Sequence, residues 1–195
     1  MISLGPNCHP AYWIRKLNGN QASYPFDWLL SKPEVGLKYV CWNIENQFTL
    51  WLTDIQLNHR AHVVSARFPQ VEFFHHRDLM GPETENEIAK LRRRASRFLL
   101  SLTEKTDYLY CYTIPVVPAE ALLINLTKEV MRFLALAPSA KLHLYFMSEE
   151  PGNEQFSALL NATSQLSDRL VLYTYYRNAD IHKVWGGQPE FMCST

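Results

Sequence analysis

The chain reads as an α/β protein: a three-layer sandwich around a mostly parallel, Rossmann-like sheet, with an irregular helical insertion in the first half. Three observations predict this. The second half alternates apolar strand patterns with helical runs of ten or more residues, the signature of βαβ units. The N-terminus is itself a compact strand–turn–helix unit. With 47% hydrophobic and 19% charged residues over 195 positions, the chain has enough apolar material for one well-buried core, and we expect a single domain over 1–195.

Met1 to Leu4 is a short strand, and Gly5-Pro6-Asn7 is a tight turn. Cys8 then stands at the mouth of a helix over His9–Leu17, with Ala11, Ile14 and Leu17 on its apolar period. Pro10 suits the first turn, where a missing N–H costs nothing. A cysteine at that position faces helix N–H groups, whose partial positive charge favours the nucleophilic thiolate. Read alone, a cysteine such as Cys8 is usually a small buried hydrophobe. Residues 29–70 are aromatic-rich and irregular, read as a lid-like helical insertion.

A helix is predicted over Glu83–Leu102, where Glu83, Glu85 and Glu87 complement the dipole at its start. Ile88, Leu91, Ala95, Phe98 and Leu102 form its apolar stripe. Lys90, Arg93 and Arg97 lie roughly opposite, and Arg94 falls at the border, where a long side chain can bury its stem and aim its head into a site. The chain then alternates: strand Tyr108–Ile114, helix from Pro118 to Ala135, strand Lys141–Met147, helix from an Asn153 cap to Ala162, strand Leu170–Tyr176.

Composition excludes several function classes. A formal charge of +0 offers no global footprint for nucleic acid or an acidic membrane. The apolar run Ala119–Ala137 contains Lys128, Glu129 and Arg132, so it does not read as a membrane span. Cys8, Cys41, Cys111 and Cys193 are too scattered for a zinc knuckle or disulfide framework, and no signal-peptide pattern opens the chain; the expected compartment is a reducing cytoplasm. His59 and His62 lack a third ligand at fixed spacing, so no metal is expected. Neither a Walker loop nor GxGxxG is present, and no cofactor is implied. His143, inside a strand, reads as a satisfied sheet histidine.

Four stretches in order carry a resemblance: Ser3-Leu4-Gly5-Pro6-Asn7-Cys8, Ser23-Tyr24-Pro25-Phe26-Asp27-Trp28, Phe73-Phe74-His75-His76-Arg77-Asp78-Leu79, and Lys90 to Leu99 with its R-R-x-x-R pattern. Over residues 1–115 the chain resembles the bacterial and viral family of unknown function labelled papain-like cysteine peptidases. The resemblance implies Cys8 as nucleophile and a histidine base. The family's His-Asp dipeptide falls on His75-His76-Arg77-Asp78, where Arg77 interrupts it. That leaves His75 or His76 as base, with His76 preferred and with Asp78 or Asp27 as the carboxylate that orients the ring. Asn7 and helix N–H groups would form an oxyanion site, Trp28 would shape the pocket, and Arg93, Arg94 and Arg97 would bind an anionic substrate group.

The expected function is thus a cysteine-dependent hydrolase or acyl-type transferase acting on a small-molecule, peptide or glycan substrate with an anionic group. The parallel pattern of the second half departs from a papain-like fold, which pairs a cysteine helix with an antiparallel barrel. Two alternatives remain open: a Rossmann-like sugar or nucleotide-sugar module without thiol chemistry, and an interaction domain presenting the aromatics between Trp42 and Trp51. Asp180 and His182 are a further acid–base pair placed after the last strand.

Overall fold

The computed structural model describes residues 1–19, 22–113, 120–148, 161, 163 and 165–176. Asp180, His182, Cys193 and nearly all of the helix expected after Asn153 lie outside them.

The protein is mixed α/β and holds two four-stranded sheets. The first is parallel throughout, in the order β1 (Ile2–Ser3), β6 (Asp107–Thr113), β7 (Lys141–Ser148), β8 (Leu170–Tyr176). Each strand matches the segment expected from its apolar pattern to within a residue or so. Helix α4 (Glu120–Leu136) connects β6 to β7. Because side chains alternate along a strand, the two faces carry separate cores. Leu109, Cys111, Tyr145 and Met147 pack with Trp13 and Ile14 of α1 (His9–Asn18). Tyr108, Tyr110, Leu142, Leu144 and Phe146 belong to the larger core, with Leu91 and Phe98 of α3 (Thr84–Ser101) and Val130 and Phe133 of α4.

The second sheet is antiparallel and was not foreseen: β2 (Leu30–Ser31), β5 (Val71–Glu72), β4 (Val63–Ser65), β3 (Ile55–Leu57), in that order. It occupies the stretch read as helical and irregular. Strands of two or three residues are too short to display a period of two. One helix does lie there, α2 (Pro33–Glu45), and its Leu37, Tyr39, Val40, Cys41 and Ile44 sit in the main core. Arg132 of α4 ties α2 down through Glu45, at 2.7 Å from Nε. Trp51 is 1% exposed, wedged against Phe48 and Phe73, so it is core, with Phe48 partly buried against it.

His59 and His62 lie in and beside a turn before β4, not on a helix, and His62 Nδ1 bonds Glu72. His143 has both ring nitrogens engaged, by Asp107 and Tyr173 at 3.1 Å each. Among the described residues no cluster of three or more His, Cys, Asp or Glu could hold a metal, and no helix is long and apolar enough to cross a membrane.

Candidate functional site

Cys8 lies just past the C-terminal end of β1, the edge at which parallel sheets bind ligands. The turn before it is tightly held. Gly5 has φ +90°, a backbone region that suits glycine, and its carbonyl accepts the Cys111 N–H at 3.1 Å. The Pro6 carbonyl accepts the Ser31 N–H at 2.7 Å. Gly36 of α2 abuts the same turn: a Cβ there would lie 2.5 Å from Tyr110 Oη, 2.7 Å from Ser31 Oγ and 3.3 Å from Pro6 Cβ. Tyr110 Oη in turn donates to the Pro33 carbonyl at 2.5 Å.

Cys8 is the N-cap residue of α1, and its carbonyl accepts the Tyr12 N–H at 2.9 Å. Its thiol is half-buried, and burial pushes its pKa above the ordinary 9.0, outweighing the backbone hydrogen bond that favours the thiolate. The resting sulfur is therefore a protonated thiol, contrary to the thiolate expected from the helix end alone. Asn7 Oδ1 accepts the His9 N–H at 3.0 Å, an i to i+2 bond across the turn that leads into α1. Its oxygen is committed to the helix, which leaves the amide nitrogen as its donor.

His76 follows β5 of the antiparallel sheet and is 3% exposed. Its Nδ1 lies 2.6 Å from Glu87 Oε1, while Nε2 is buried without a partner among the described residues. Burial lowers the ring's pKa; Glu87 raises it, and Arg94 and Lys90 lower it. The ring is neutral near pH 7, and Nδ1–H donates to Glu87, so Nε2 carries the free lone pair. The orienting carboxylate is thus Glu87. Asp78 is exposed, on a 3-10 turn (Arg77–Met80) that begins right after His76, and makes no hydrogen bond to the ring. Glu87 looked like a helix-dipole residue in the sequence; its separation of seven from Arg94, two turns along one face, was the available signal. His75 points the other way, exposed, with its ring edge-on to Trp28 at 5.5 Å.

Asp27 does not orient a histidine either. It is 4% exposed; Oδ2 accepts the Tyr24 N–H at 2.9 Å and faces Arg15 Nη2 at 3.6 Å. Burial pushes its carboxyl up to about 6, against the pull of Arg15, Arg94 and Arg97. Arg15, which the sequence reading missed, also lies over the Trp28 ring at 4.9 Å. It stands seven residues after Cys8, on the same side of α1.

The three arginines of α3 separate cleanly. Arg93 is exposed. Arg97 is exposed, donates to the Ser23 carbonyl at 2.9 Å and lies over Tyr24. Arg94 is 8% exposed, and its Nη1 is buried without a partner among the described residues. The structure thus brings Asp27, His76 and Arg94 into one buried charge cluster with Glu87 and Arg15, and Trp28 with His75 beside it. Among the described residues no hydrogen bond joins Cys8 Sγ to His75 or His76.

The class the fold defines is a mixed α/β protein, with a helix-borne cysteine beside its parallel sheet and a carboxylate-held histidine just after the antiparallel one. The chain belongs to the family described as "putative papain-like cysteine peptidase", whose model matches residues 1–135. No curated protein and no solved structure matches it.

Proposed function

We propose that this protein is a peptidase-like cysteine hydrolase or acyl transferase, with Cys8 as nucleophile and His76 as its base. One observation carries the reading. His76 is a neutral imidazole whose Nδ1 is fixed by Glu87 and whose Nε2 is left unpaired, the arrangement a general base requires. The family's description supports the reaction class. The α1 helix on one sheet face and α3 and α4 on the other favour a Rossmann-like three-layer scaffold, and the free thiols at Cys8, Cys41 and Cys111 suit a reducing cytoplasm.

Because the thiol rests protonated, deprotonation accompanies attack. Nε2 takes the Sγ proton as sulfur bonds to the carbonyl carbon; Asn7 and N–H groups at the start of α1 hold the oxyanion. The imidazolium then gives its proton to the leaving group as that bond breaks, and water hydrolyses the thioester, restoring the thiol. Sγ and Nε2 come within reach of each other in the substrate complex, since such hydrogen bonds commonly tighten there. Trp28 and His75 form the wall toward α1.

The test is turnover of a fluorogenic peptide and ester library by the wild type, Cys8→Ala and His76→Ala, with folding followed by circular dichroism. Both variants should lose at least about 10²-fold in activity. Undiminished hydrolysis by folded Cys8→Ala sinks the reading.

A further inference from the structure

Arg94 is the anomaly of this molecule. A guanidinium cannot shed its charge to suit a buried site, so it is ordinarily paired when taken out of water. Arg94 is 8% exposed, yet no described residue accepts a hydrogen bond from it or stands in an ion pair with it. The two carboxylates whose charges reach it are both engaged elsewhere: Asp27 with the Tyr24 N–H and Arg15, Glu87 with His76 and Lys90. Water can fill an orphaned donor, but an oxyanion also neutralises the buried guanidinium, and the guanidinium fork matches its geometry.

We infer that Arg94 is the substrate's oxyanion receptor: it binds a carboxylate of the acyl substrate beside His76, with Arg15 and Arg97 at the rim. The inference rests on the hydrolase reading for the substrate, and it narrows that substrate to one with a carboxylate close to the bond attacked. Arg93 takes no part, being exposed. Arg97 is held by Ser23 and Tyr24 and contributes charge rather than a contact.

Binding is tested apart from catalysis, in the Cys8→Ala protein, with acetate and inorganic phosphate as probes and chloride at equal ionic strength as control. Acetate should bind saturably, raising the melting temperature by about 3–5 °C at ten times its dissociation constant. A second readout is the His76 ring, followed by nitrogen-15 NMR in the same protein. A bound anion favours the imidazolium, so saturation should raise that ring's pKa. Arg94→Gln should abolish both effects, and Arg94→Lys, which keeps the charge without the fork, should weaken acetate at least tenfold. A phosphate response larger than the acetate one overturns the assignment to a carboxylate. A shift that chloride reproduces, or that survives Arg94→Gln, overturns the receptor itself. If Arg94→Gln fails to fold, the absence of any acetate effect on His76 in the Cys8→Ala protein is equally fatal. None of these results depends on thiol chemistry, so a failed hydrolase assay and a failed receptor are separate outcomes.

Discussion

Replacing Asp27 with asparagine should stabilise this protein, and the gain should depend on pH in a defined way. The carboxyl is 4% exposed and its pKa is pushed from 3.8 to about 6, mainly by burial. The folded state therefore holds the Asp27 proton more tightly than the unfolded chain does. Between those two values the folded form binds more protons, so stability falls as pH rises through that window. A displacement of that size costs about 3 kcal/mol once the group is ionised in both states. Asparagine keeps an acceptor for the Tyr24 N–H, the 2.9 Å bond, without the buried charge. At pH 7.5 Asp27→Asn should melt about 6–12 °C above the wild type, at the 2–4 °C per kcal/mol expected of a domain this size. Near pH 3.5 the two should converge, because Asp27 is then largely protonated in the folded wild type. Differential scanning calorimetry at four pH values between 3.5 and 7.5 measures this directly. A variant that is less stable at pH 7.5, or a gap that does not change with pH, would refute the reasoning: the arginines would then supply more to the folded state than burial removes.

Glu87→Gln should drive the His76 pKa further down, since it removes the one neighbour that raises it, and turnover should fall by about 10²-fold or more. Ring NMR and steady-state kinetics check the two parts separately. Phe98→Ala should cost about 3–5 kcal/mol, a melting temperature lower by about 6–20 °C, read by thermal or urea unfolding. Phe98 is fully buried and joins Phe26, Phe48 and Tyr108 at ring separations of 5.2, 5.9 and 5.8 Å, so its loss loosens α3 from both the Asp27 loop and β6.

His76 and Arg94 show why some of the site was legible and the rest was not. His76 sits one position after His75, and adjacent residues in extended chain face opposite sides, so only one could be buried. That only one of the two could enter a site was open to sequence reasoning on that ground; which one was decided by the fold. Its partner was not. Asp78 is near in sequence, but the 3-10 turn carries it outward, while Glu87 arrives from the first turn of α3. Arg94 could be placed at the edge of an apolar stripe by counting 100° per residue. That it is buried and unpaired depends on Asp27 and Glu87 having other partners, which no periodicity reveals.

The sequence by itself determined the local units: the strand–turn–helix at Cys8, the apolar period of α3, and the three long strands of the parallel sheet. Each is set by side-chain spacing within about ten residues, which is what a linear pattern can encode. Tertiary structure alone decided the antiparallel sheet, whose strands are too short to carry a pattern, and the protonation of Cys8. A helix N-terminus is visible in sequence and favours a thiolate. Burial disfavours it, and how much solvent a thiol loses is fixed only when distant segments close around it. Here burial wins, so Cys8 rests as a protonated thiol.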